Sequence, residues 1–167
     1  NGRLACELAR QSQLSIYVVE RDAKLVEQAR EALSRAGLYG TRIVVELADD
    51  AGLVYPSYFA DLIIDQAALR AGSPSKFDLE DLLRTLKPHG GTALVAPVDS
   101  WKEPLRQANV AIGRFGEQAK LVRGGLPGAG AWTHQYGNAA NTSSSGDQLA
   151  NAPFRMLWFG DPGPEGI

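Results

Sequence analysis

The stretch "NGRLACELARQSQLSIYVVERD", Asn1 to Asp22, decides how this chain is read. Gly2 stands directly before Leu4, Ala5, Leu8 and Ala9, whose spacing is helical. "LSIYVVE", Leu14 to Glu20, is short, β-rich and ends in an acid. Asp22 is a good N-cap for a second helix, "AKLVEQAREALSRAG". Its apolar stripe is Leu25, Val26, Ala29, Ala32 and Leu33, and Gly37 is a plausible stop. A glycine turn, a helix, a strand ending in a carboxylate and another helix are the opening of an alternating α/β fold.

The alternation continues outward from there. "TRIVVEL" is expected as a strand and "ADDAGLVYPSY" as a loop. "ADLIID", Ala60 to Asp65, reads as a strand with both faces covered. "FDLEDLLRTL", Phe77 to Leu86, is expected as a helix closed by "KPHGG", and "TALVAP" as another buried strand. "SWKEPLRQANVAI" is expected as a helix and "EQAKLVRG" as a last strand. The fold expected is α/β: a Rossmann-like, doubly wound, mostly parallel sheet with an irregular C-terminal linker tail. The first helix has a glycine turn before it but no strand, and in such sheets the strand feeding that turn is central. That strand is therefore expected upstream of Asn1, so that the sheet lacks it here.

Composition bounds the rest. The 167 residues suffice for one ordinary domain, and 44% hydrophobic with 22% charged residues is globular. A net charge of -2 gives no strong field for nucleic acid or an anionic membrane. Lys76, Lys87 and Lys102 are scattered, as on a solvated surface. One cysteine, Cys6, excludes an internal disulfide and reads as packing on an apolar helix face. His134 has no second His or Cys nearby, so no metal site is expected. No segment in this piece is long and apolar enough to span a bilayer, and no signal peptide is visible. The chain starts without an initiator Met, and both ends are expected to be cut.

Three features fall where a nucleoside cofactor needs them. Gly2 sits at the start of the first helix, where backbone must approach a ligand closely. Glu20 ends the next strand, where a carboxylate can accept from a ribose diol. Asp49 and Asp50 follow the third strand, where an acid can accept from an adenine amino group. The alternatives are a tight turn for Gly2, a solvated strand-end charge for Glu20, and turn or capping acids for Asp49 and Asp50.

These segments resemble the class I S-adenosylmethionine-dependent methyltransferase domain from about Asn1 to Gly125. "NGRLACELA" resembles the tail of the family's glycine-rich first motif, and "YVVERD" its second strand with the ribose-binding acid. "ELADDAGLVYPSYFADLIID" resembles the third strand, the adenine-side acid and the fourth strand. "LRTLKPHGGTALVAP" resembles the Leu-Lys-Pro-Gly-Gly turn and fifth strand, with His89 in place of the first glycine. The resemblance implies S-adenosylmethionine as cofactor. Gly2 would flank its methionine moiety, Glu20 hold the ribose, Asp50 or Asp49 face the adenine, and Asp65 or Gln66 border the methyl group. Two features depart from the family. The upstream glycines are absent, and "DQAALRAG" is not the Asn/Asp-Pro-Pro-Tyr/Phe pattern of amino-group methylases. The acceptor therefore stays unnamed, and no residue is marked as a base.

The end of the chain changes character. "LPGAGAWTHQYGNAANTSSSGDQLANAPFRMLWFGDPGP" resembles the segment leading into pyrroloquinoline-quinone-like β-propeller repeat proteins. The resemblance implies two parts: a methyltransferase-like domain at 1–125, and a linker with the start of a propeller at 126–167. The partner surface would be a propeller of the same chain. Trp132, Tyr136, Phe154, Trp158 and Phe159 would anchor it, and pyrroloquinoline quinone would bind only there, if at all. The plainer alternative is a glycine- and serine-rich flexible tail. Two rival functions also stand. One is a degenerate domain of the same fold serving as an interaction or spacer module. The other is a nicotinamide-dependent dehydrogenase, which also uses a glycine turn and a strand-end acid. Localisation follows function: cytoplasmic for an active methyltransferase, periplasmic or exported if the parent protein carries a signal peptide.

Overall fold

The computed structural model describes residues 2–48, 55–66, 78–96 and 99–150. The chain forms two compact units, residues 1–60 with 75–87, and residues 61–74 with 88–167.

The first unit begins with helix α1 (Arg3–Gln11), strand β1 (Ile16–Glu20), helix α2 (Ala23–Arg35) and strand β2 (Ile43–Leu47). Helix α3 (Leu79–Thr85) joins it from later in the chain. β1 and β2 pair in parallel, Ile16 opposite Ile43 and Glu20 opposite Leu47. Alternation along the strands sends Ile43 and Val45 into a core with Ala5 and Ala9 of α1 and Val26, Ala29 and Leu33 of α2. Ile16 and Val18 pack against the same cluster. The two alanines on α1 are small enough to let that helix approach closely.

Both ends of α2 are fixed by the residues the sequence singles out. Asp22 Oδ1 accepts from the backbone N–H of Lys24 at 2.8 Å and of Leu25 at 3.4 Å. Beyond the other end, Gly37 takes φ +69°. Its N–H bonds the Ser34 carbonyl while the Leu38 N–H bonds that of Leu33, a Schellman closure.

The outer edge of β2 is covered at its first half. Residues 43, 45 and 47 direct their backbone groups away from β1, because the ladder uses Arg42, Val44, Glu46 and Ala48. Ile43 is satisfied by Gly40 and Leu38. The Val45 carbonyl accepts from the Arg30 guanidinium, Nε at 2.9 Å and Nη2 at 2.7 Å. The other edge of β1 carries the amides of Tyr17 and Val19.

The second unit is a four-stranded sheet in the order β3-β4-β6-β5. Its strands are β3 (Leu62–Ile64), β4 (Thr92–Val95), β5 (Val110–Phe115) and β6 (Gln118–Arg123). β3 and β4 are parallel, whereas β6 runs antiparallel to both β4 and β5. The sheet is thus mixed, because a two-residue turn at Gly116–Glu117 returns β6 alongside β5 before it docks on β4. Ala93, Val95, Leu105, Val110 and Leu121 are buried in this unit. The strand expected over Ala60–Asp65 is shorter, and Ala60 instead bridges to Leu86 within the first unit.

The helix expected to run through Ile112 is corrected. After a 3-10 turn at Asp99–Trp101, helix α4 covers only Lys102–Gln107. Asn109 then adopts φ +56°, which no α-helix accommodates, and Val110–Ile112 belong to β5. Asn109 Nδ2 bonds the Gly125 carbonyl at 3.0 Å, which holds this sharp turn in place.

The turn at "KPHGG" is built as its composition requires, with one exception. Gly90 takes φ +123°, but His89 takes φ +59° without being glycine. Its N–H bonds the Gly124 carbonyl, and the Gly90 N–H bonds that of Arg123, pinning the turn to the end of β6.

Beyond Leu126 the chain makes no regular element but closes on itself through residue 150. The Asp147 carboxylate accepts from the N–H groups of Gly130 at 2.8 Å, Leu149 at 2.7 Å and Ala150 at 2.7 Å. Ala131 bonds Ser145, and Gln148 bonds Gly128, through the backbone. A Cβ at Gly130 would lie 2.6 Å from Ser145 O and Asp147 N, so only glycine fits this crossing. Trp132 and Tyr136 are displayed on the outside, 59% and 54% exposed.

Candidate functional site

Glu20 closes β1, and Asp22 two residues later opens α2, so the chain must turn within one residue. Glu20 makes that turn itself. Its Oε1 accepts from the N–H of Arg21 at 2.7 Å and of Asp22 at 3.2 Å. Oε2 has no partner among the described residues. The side chain is half-buried, so the carboxylate is oriented by its own backbone and presents one free acceptor oxygen. That is the arrangement a vicinal diol needs: a fixed anionic acceptor for a hydroxyl donor.

Gly2 takes φ +69° and ψ 5° at the N-cap of α1, a left-handed conformation that explains glycine there. Its carbonyl accepts from Cys6 as the first bond of the helix. A Cβ on Gly2 would meet Leu33 and Ala29 of α2 at ordinary contact distance, 3.6–3.8 Å. Gly2 therefore lies against the middle and second half of α2, about 10–16 Å along that helix from its Asp22 cap. Glu20 accepts from the N–H of Asp22, the N-cap of the same helix. Gly2 and Glu20 are joined through α2 rather than by a hydrogen bond to each other.

Asp65 is buried at the end of β3 in the second unit, where its N–H bonds the Leu94 carbonyl. Gln66 follows it and is exposed. Asp49 and Asp50 lie outside the described residues.

One group near Glu20 was not singled out in the sequence. Tyr17, on the face of β1 opposite the core, meets Phe59 edge-on at 5.0 Å and Tyr55 at 5.7 Å. Tyr55 and Phe59 stack at 4.7 Å. The Tyr55 hydroxyl donates to Glu46 Oε2 at 2.8 Å. Burial, then the bond to Glu46 and the repulsion of that carboxylate, hold the Tyr55 phenol well above its ordinary pKa. Tyr55 thus stays a neutral donor, and Glu46, directly opposite Val19 in the ladder, is engaged by it. The period-two placement of Tyr17 was the available signal; Tyr55 lies in the segment expected as a loop, and Phe59 just after it.

A shallow groove lined by Val26, Glu27, Arg30, Glu31 and Leu47 lies on the outer side of α2. It contains neither Gly2 nor Glu20, and its charged rim is that of a surface furrow. Among the described residues no three His, Cys, Asp or Glu side chains converge on a metal-sized site. No helix among them is long and apolar enough to cross a membrane.

Comparison with known proteins bears on this geometry. No family profile matches the chain. It is 35% identical over 124 residues to a protein-L-isoaspartate O-methyltransferase of Thermococcus onnurineus, across 70% of this chain. The chain spans 51% of that relative's length. Among solved structures it resembles a protein of Methanococcus maripaludis assigned as an S-adenosyl-L-methionine-dependent methyltransferase. That match has a TM-score of 0.54 at 18% identity and covers 75% of this chain and 73% of the other. A methyltransferase of Aquifex aeolicus aligns with a TM-score of 0.43 at 20% identity, over 64% of this chain and 65% of that one. The chain has the class I methyltransferase-like α/β fold.

Proposed function

We propose that this chain is the S-adenosylmethionine-binding portion of a methyltransferase. The observation that carries the reading is Glu20, a strand-end carboxylate with one oxygen held by its own turn and the other free. The 35% identity to the Thermococcus enzyme supports a methyl-transfer role over the dehydrogenase alternative. Glu20 fits a ribose diol as acceptor. Gly2, which lies against Leu33 and Ala29 further along α2, is kept as the residue proposed to flank the methionine moiety. When bound, the cofactor supplies a methyl group made electrophilic by its sulfonium. Asp49 and Asp50 remain the proposed adenine-side acids, and Asp65 or Gln66 the residue proposed to border the methyl group.

The acceptor class to try first is the one named for the relative, an L-isoaspartyl group in a protein. Such a carboxylate is already ionised at neutral pH and needs no general base, which agrees with a chain in which none is marked. The test is transfer of labelled methyl from S-adenosylmethionine to an isoaspartyl peptide and to its normal aspartyl counterpart, using the protein at its natural length. Label on the isoaspartyl peptide alone supports the reading. Label on neither, with the cofactor bound, refutes the acceptor while leaving the cofactor reading intact.

The segment 126–167 is proposed as the linker toward a β-propeller of the same chain. Its support is the exposed Trp132 and Tyr136 on a loop that Asp147 holds closed. Phe154, Trp158 and Phe159 lie outside the described residues. Pyrroloquinoline quinone, if bound at all, is proposed only for the propeller. Hydroxyl-radical labelling that modifies Trp132 equally in this chain and in the full-length protein would overturn this assignment.

A further inference from the structure

We propose that strand β5 is the interface of a symmetric dimer, two copies of this chain joining their sheets edge to edge. The hydrogen bonds at the start of the β5–β6 ladder fix which groups of β5 are free. The Asn109 carbonyl accepts from Gly124, one residue beyond the Val110–Arg123 pair, while Arg123 exchanges bonds with Gly90 and Gly91 instead. The alternation of an antiparallel ladder then gives Ala111, Gly113 and Phe115 to β6. Val110, Ile112 and Arg114 direct their N–H and C=O groups to the open edge.

No described residue covers that edge, whereas part of the β2 edge is covered. On β2 the outward carbonyl of Val45 is covered by Arg30, and Ile43 by Gly40 and Leu38. β5 has six residues without proline or bulge, and its lone charge is Arg114. Strand edges left flat and apolar are templates for another strand. Ile112 is 50% exposed and Phe115 62%, although both lie in a regular strand. Ile112 also shares a small apolar depression with Trp101, Leu105 and Leu121, beside the edge.

The occupant that fits is a second β5, because the edge is self-complementary. Antiparallel pairing about Ile112 sets it opposite Ile112 of the partner subunit, and Val110 opposite Arg114 of the partner subunit. The three outward residues become closely spaced pairs, each exchanging two hydrogen bonds. The two arginines sit four registers apart, about 13 Å, beyond the screening length in physiological salt. No like charges face one another, and the exposed flank of Ile112 is covered at the twofold axis.

Sedimentation of the unaltered chain through a dilution series should show a reversible monomer–dimer equilibrium. Ile112→Lys places two lysines face to face, and Arg114→Pro deletes an edge donor without touching the ladder to β6. Each should weaken the dimer about tenfold or more while thermal melts show the fold retained. Hydrogen exchange on the unaltered protein gives the same reading without mutation: the Ile112 and Arg114 amides should gain protection as concentration rises. A chain that stays monomeric, a dimer that neither variant weakens, or protection that ignores concentration would each overturn the proposal. The last outcome would mean that another segment of the same chain covers the edge.

Discussion

Replacing Glu20 separates the turn it holds from the ribose contact proposed for it. In Glu20→Gln the amide oxygen can keep the bonds from Arg21 and Asp22, now 2.7 and 3.2 Å long, while NH2 takes the place of the free Oε2. The turn survives, but the ligand side changes from anionic acceptor to donor. A charge-assisted bond contributes about 1.5–3 kcal/mol and a neutral one about 0.5–1.5, so roughly 1–2 kcal/mol of cofactor affinity should go. That is about 5- to 30-fold in Kd. Glu20→Ala also frees two backbone donors beside the α2 cap, costing about 1 kcal/mol of stability and several degrees in Tm. Calorimetry with S-adenosylmethionine and thermal melts of the natural-length protein read both effects. Unchanged affinity in Glu20→Gln with an intact fold would refute the ribose role. Equal destabilisation by Gln and Ala would refute the turn-holding role.

Other outcomes follow from the same geometry. Arg30→Ala strips both donors from the Val45 carbonyl and should cost about 1–2 kcal/mol with added aggregation; an unchanged urea midpoint would show the edge is not sealed by Arg30. His89→Gly removes a left-handed residue with a side chain at φ +59° and should stabilise by about 1 kcal/mol, unless a lowered Tm shows that the imidazole packed against Gly125 outweighs the backbone relief. Asp147→Ala should open the 130–147 crossing and speed chymotrypsin cleavage after Trp132 or Tyr136; an unaltered cleavage rate would count against the clasp. Bonds from Gly130, Ala150 and Leu149 hold the Asp147 carboxyl below its ordinary value. Loop closure is therefore complete above about pH 4 and weakens as pH falls through the lowered value, which amide shifts of those three residues will show.

Much of the first unit was legible because its signals are local. Asp22 and Gly37 cap α2 as composition demands, and β1 and β2 follow period two with Ile43 and Val45 inward. β5 was hidden because Lys102–Gln107 is a helix and the pattern ran on through Ala108. Only the left-handed turn at Asn109, a tertiary feature held by Gly125, ends it. The antiparallel return of β6 was illegible for a similar reason: pairing direction depends on a hairpin, and the strand before that hairpin had been read as helix. At the candidate site, the place of Glu20 at a strand end was legible, and the turn its carboxylate holds was not. Nor was the Tyr17–Tyr55–Phe59 cluster, since two of its rings come from an aperiodic segment and meet the third only in the fold.

The central claim is that this fold holds S-adenosylmethionine through Glu20. A side-by-side calorimetric titration of the natural-length protein with S-adenosylmethionine and with NADH tests it most directly. The account predicts saturable binding of S-adenosylmethionine that Glu20→Gln weakens, and none of NADH. Binding of NADH in its place, or of neither ligand by a cooperatively folded protein, would contradict it.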